Sequence, residues 1–134
     1  MNSCAKNCLI VLVEDDELIR SAFSEVLQLE GYEVLAFANG REAMIGLHSQ
    51  ERAPCLILLD WMMPQMNGEE FLEARSGCSD SGLKRSPVVV VSAEVSRALQ
   101  RAAGVAELID KPVDLDRLLN VVSLHCRRPA AISA

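Results

Sequence analysis

Cys55-Leu56-Ile57-Leu58-Leu59-Asp60-Trp61-Met62-Met63-Pro64-Gln65-Met66-Asn67-Gly68 begins as an apolar run and ends that run on a carboxylate. Apolar residues without polar alternation suit a strand covered on both faces, as in a parallel sheet. Two other stretches share this character. Cys8-Leu9-Ile10-Val11-Leu12-Val13 leads into Glu14-Asp15-Asp16, and Pro87-Val88-Val89-Val90-Val91 leads into Ser92. Tyr32–Ala38 and Ala106–Asp110 are weaker runs and supply the second and fifth strands.

Helical patterns lie between the runs. Residues 17–30 place Ile19, Phe23, Val26 and Leu27 on one stripe, and Gly31 is a natural stop. Asn39-Gly40-Arg41-Glu42 reads as an N-cap with an acid three residues on, opening a helix through Ala43, Met44 and Leu47. A short third helix runs from Asn67 to about Arg75, and a fourth from Glu94 to Ala103, closed by Gly104. Asp114 caps a fifth, whose Leu115, Leu118, Leu119 and Val122 follow helical spacing, with Arg127 and Arg128 suiting its C-terminal end. Five strand–helix alternations imply an α/β fold: a doubly wound parallel sheet with right-handed crossovers. In such sheets the ligand crevice lies at the carboxyl ends of the strands.

The chain of 134 residues suits one domain. Its net charge of −6 argues against nucleic-acid binding or an anionic membrane surface. No apolar run is long enough to cross a membrane, and the start lacks signal-peptide grammar. Cys55 and Cys126 sit in apolar runs and read as buried thiols; Cys4 and Cys8 lack the partners of a zinc site. A reduced, cytoplasmic protein is expected.

The carboxyl ends carry an unusual set. Strand one ends in Glu14-Asp15-Asp16, strand three in Asp60, strand four in Ser92, and Lys111-Pro112 follows strand five. Clustered carboxylates repel one another unless a cation sits among them. A hard divalent ion such as Mg2+ prefers oxygen ligands, so the acids point to a metal site. Asp60 could then act as a carboxylate nucleophile toward a phosphoryl group, with Lys111 neutralising charge and the Ser92 hydroxyl donating a hydrogen bond.

Val13-Glu14-Asp15-Asp16, Asp60 to Gly68, Val91-Ser92-Ala93 and Asp110-Lys111-Pro112, in that order, resemble the response-regulator receiver domain. The likeness covers about residues 7–126 of a single domain spanning 1–134, with short tails. It implies a flavodoxin-like five-stranded sheet of order 2-1-3-4-5 with five helices. It makes Asp60 the phosphoacceptor in a two-component phosphorelay and gives a metal site of Glu14, Asp15, Asp60 and the Met62 backbone carbonyl. Asp15 is the direct ligand, and Glu14 acts through water. Ser92 matches the Ser/Thr switch position, Lys111 the family's lysine, and Lys111-Pro112 a cis peptide. Asp16 reads as a helix cap. The implied cofactor is Mg2+. The implied partners are a sensor histidine kinase or a histidine-phosphotransfer protein, and a downstream protein target. No enzyme is implied beyond slow hydrolysis of the aspartyl phosphate.

The chain departs from the family at two places. Leu108 stands where receivers often carry Tyr or Phe, and only nineteen positions separate Ser92 from Lys111, so the fourth helix is truncated or recast. These features favour an alternative, a receiver-like interaction module that works without phosphorylation. An aspartate-nucleophile phosphatase would want an acid two residues after Asp60, where Met62 stands. Among other residues, Trp61 reads as a partly exposed loop aromatic, Met63 and Met66 as loop packing, and His48 and His125 as solvated bystanders. Gly77–Gly82 is a polar loop, and the tail after the fifth helix is too short for a DNA-binding domain.

Overall fold

Leu9–Val13 (β1), Leu56–Asp60 (β3) and Val88–Ser92 (β4) are buried at every position, which is why their sequences carry no polar alternation. They form the centre of a parallel sheet of order β2-β1-β3-β4-β5. Glu33–Phe37 (β2) and Val105–Asp110 (β5) are the edges, and their half-exposed patterns explain their weaker sequence signal. The computed structural model describes residues 8–48, 54–61, 68–76, 86–93 and 105–126. Met62, Met63, Met66, the helix expected at 94–103, the 77–82 loop and both tails lie outside the described residues, as does the His48 side chain.

Four helices stand among the described residues: Glu17–Leu29 (α1), Gly40–His48 (α2), Gly68–Ser76 (α3) and Leu115–Cys126 (α4). Their apolar stripes divide between the two faces of the sheet. Phe23 and Leu27 of α1 and Leu118, Val121 and Val122 of α4 pack on Ile10, Leu12, Leu56 and Leu58. Ala43 and Leu47 of α2 and Phe71 and Leu72 of α3 pack on Val11, Val13, Ile57 and Leu59. Each fully buried Leu, Ile or Phe is worth about 1.5–3 kcal/mol of transfer free energy, so these two layers dominate the stability.

The helix ends follow local chemistry. Asp16 Oδ1 accepts from the N–H groups of Leu18 and Ile19 at 3.0 and 3.1 Å, which makes Asp16 the cap expected of it. Gly31, at φ 99°, turns the chain from α1 into β2. Asn39 Oδ1 accepts from Glu42 N at 2.8 Å, and Glu42 reaches back to Ala38 N. On α4 one expectation needs correction. Leu115 is exposed and Val121 is buried in its stead, because the buried stripe begins a turn later than the apolar spacing suggests.

Candidate phosphoryl-acceptor and metal site

β1 and β3 are neighbours paired through Val13↔Leu59, so the residues that follow β1 lie beside the last residue of β3. This register brings Glu14, Asp15 and Asp60 together: one carboxylate oxygen from each lies within 4.8 Å of the others. Glu14 and Asp60 are buried, whereas Asp15 is exposed at the mouth. Glu14 N continues the ladder by donating to Phe37 O at 3.0 Å. Its side chain is held by Asp16 N, which donates to Oε2 at 3.1 Å.

Lys111 enters from the end of β5, where its N–H donates to Ser92 O at 2.9 Å and its bond to Pro112 is cis. Lys111 Nζ lies 3.3 Å from Asp60 Oδ1 and 3.9 Å from Glu14 Oε1. Ser92 is buried one register step beyond Val91, the residue paired with Asp60. The five side chains singled out at the strand ends therefore occupy one edge of the sheet. The expected Met62 carbonyl ligand lies outside the described residues.

Burial sets the electrostatics. It pushes the Glu14 carboxyl up from 4.5 to about 7, aided by the nearby Asp60 charge and opposed by the Asp16 N–H and Lys111. Burial also raises Asp60, with Asp15 adding to the rise and Lys111 opposing it. Three acids against one lysine leave an excess of negative charge on hard oxygen donors. That donor set fits a hard divalent cation and does not suit a soft one. Beside Lys111 an apolar hollow of about 340 Å³ is lined by Leu18, Ile19, Ala22, Phe23, Pro112 and Val113.

Three residues differ from expectation. Trp61 is buried, not partly exposed: it extends the face of Ile57 and Leu59, its N–H donates to Val91 O, and its ring covers Gly68. His125 is not a solvated bystander, since its Nε2 lies 3.4 Å from Glu107 Oε1 and the side chain is 20 % exposed. Cys126 is buried as expected, but Cys55 is only half-buried. Leu108 is half-buried against the α2–α3 side of the core.

One contributor escaped the sequence reasoning. Arg20 Nη1 donates to the carbonyls of Glu14 and Asp15 at 2.8 and 3.4 Å. Arg20 lies one helical turn past the capping Asp16, and helical side chains lean toward the N-terminus, a signal that could have located it.

Residues 10–123 match the family model described as the response regulator receiver domain. The chain is 33% identical over 122 residues to the phosphate regulon transcriptional regulatory protein PhoB of Rhizobium meliloti, covering 89% of this chain and 52% of that protein. It thus spans about half the length of PhoB. It is 29% identical over 119 residues to the polar-differentiation response regulator DivK of Brucella anthropi, covering 87% of this chain and 94% of that one. Among solved structures, the response regulator TrrA of Thermotoga maritima, in complex with Mg(2+)-BeF, superposes with a TM-score of 0.74. That match has 27% identity and covers 88% of this chain and 98% of that one.

Proposed function

The chain belongs to the response regulator receiver domain family of two-component signalling, and from that premise we propose that Asp60 accepts a phosphoryl group from a phosphohistidine. The observation that carries this is the placement of Asp60: a buried carboxylate with Lys111 Nζ at 3.3 Å and the oxygens of Glu14 and Asp15 beside it. In the transfer, an Asp60 oxygen bonds to phosphorus as the phosphorus–nitrogen bond breaks, and the released imidazole takes up a proton. Lys111 offsets charge on the phosphoryl oxygens, and the Ser92 hydroxyl donates to the attached group. Glu14, Asp15, Asp60 and the Met62 carbonyl would hold Mg2+. When bound, that ion neutralises charge building on the transferred group. The Mg(2+)-BeF complex of the similar TrrA supports this choice of cation.

The donor is a sensor histidine kinase or a histidine-phosphotransfer protein in the cytoplasm, and output passes to a protein target. Slow loss of phosphate by hydrolysis would time the signal. A scaffold that never takes phosphate would have no use for two buried acids whose ionisation burial opposes, so the phosphoacceptor role is preferred. Purified protein given Mg2+ and a small phosphodonor gains one acid-labile phosphoryl group. Equal labelling of Asp60→Asn would refute the assignment.

A further inference from the structure

We infer that Arg20 is a positioning residue for the acidic site, acting through the backbone of the loop that presents Glu14 and Asp15. The inference rests on the cation-binding role proposed above for those acids. At Glu14 the chain leaves the sheet: the N–H still donates to Phe37 O, and the carbonyl accepts from Arg20 at 2.8 Å. The next carbonyl, of Asp15, lies 3.4 Å from the same guanidinium nitrogen. One Nη1 therefore ties two successive peptide groups, and the carboxylates they carry are two of the three in the cluster.

Further tethers of the loop come from the same helix start. Asp16 N–H holds the Glu14 carboxylate, Asp16 Oδ1 caps α1, and Arg20 N donates to Asp16 O at 2.9 Å. Arg20 thus links the first turn of α1 to the peptide planes behind both acids. Charge-assisted hydrogen bonds of this kind are the strong ones. Partners that orient metal ligands without touching the metal typically set affinity by 10–100-fold.

Charge alone would act the other way. Arg20 is a cation near a cation site, and removing it on Coulomb grounds tightens the binding of a second cation. Positioning predicts weaker binding, so the sign of the change decides between them. A merely structural role would lower the stability of the protein and leave the affinity of the folded form unchanged.

The test uses the full chain as wild type, Arg20→Met and Arg20→Lys. Mg2+ binding is followed by calorimetry and Trp61 emission, and urea unfolding is measured without metal. Positioning predicts that Arg20→Met weakens Mg2+ binding about 10-fold or more while the protein remains folded. Arg20→Lys, which can still donate to the Glu14 carbonyl, recovers much of that loss. Affinity of Arg20→Met equal to wild type, or tighter, overturns the inference even if the variant is less stable. Failure of wild type itself to bind Mg2+ overturns the cation reading of the site, and this inference with it.

Discussion

Lys111 and Asp60 stand 51 residues apart in sequence and 3.3 Å apart in space, and among the described residues Lys111 is the one cation within 4.0 Å of the buried carboxylate groups. Removing it leaves the negative charge uncompensated. Lys111→Met is expected to destabilise the metal-free protein by about 1–3 kcal/mol at neutral pH, between the cost of breaking an exposed pair and that of breaking a buried one. Urea unfolding checks this. Added Mg2+ should return part of the loss, because a divalent ion can take over the compensation.

Glu14 gives the pH dependence. Its folded value of about 7 lies above the ordinary 4.5, so the native protein keeps a proton that the unfolded chain releases between those values. The stability linked to this group is therefore fully present below about 4.5 and lost as pH rises through about 7. The loss at still higher pH is on the order of 3 kcal/mol. Metal-free Glu14→Gln should show a flatter dependence of the unfolding midpoint on pH across that window than wild type. Parallel curves for the two proteins would contradict the assignment.

Gly68 lies against the Trp61 ring. A Cβ at Gly68 would come within 2.5 Å of the indole and 3.0 Å of the Trp61 backbone. The ring could turn aside, but the backbone beside Asp60 cannot do so freely. Gly68→Ala should cost about 1–3 kcal/mol through overpacking. Denaturation and a changed Trp61 emission maximum in the folded state measure the two effects together.

Glu107 offers a contrast in magnitude. It meets Arg117 at 3.8 Å and His125 at 3.4 Å, but its side chain and that of Arg117 are 33% and 51% exposed. Solvent screens such pairs, so Glu107→Gln should change stability by less than about 1 kcal/mol. Raised salt should shrink even that difference.

These contrasts bear on how much could be seen in the sequence. The central strands were legible because a position buried on both faces must be apolar whatever its neighbours are, as Val88–Val91 and Leu56–Leu59 show. Edge strands have only to be partly buried, so Glu33 and Glu107 interrupt them and weaken the signal. The acids and Lys111 were legible because each ends a strand or directly follows one. Their mutual distances were not, since register belongs to the pairing of strands. Trp61 was misjudged for want of one step. The alternation Ile57, Leu59, Trp61 continues past Asp60, and the ladder continues with it through Trp61 N and Val91 O. The His125–Glu107 contact joins α4 to β5 across 18 residues, which no local pattern encodes.

The burial of Trp61 has an optical consequence. With 7 % of its surface exposed, the only indole in the chain is shielded from dissolved collisional quenchers such as iodide. Intensity changes on titration at the neighbouring Asp60 would then arise from the local electric field or from ring reorientation, with little solvent background. The protein carries, one peptide bond from its acidic crevice, an intrinsic gauge that needs no dye.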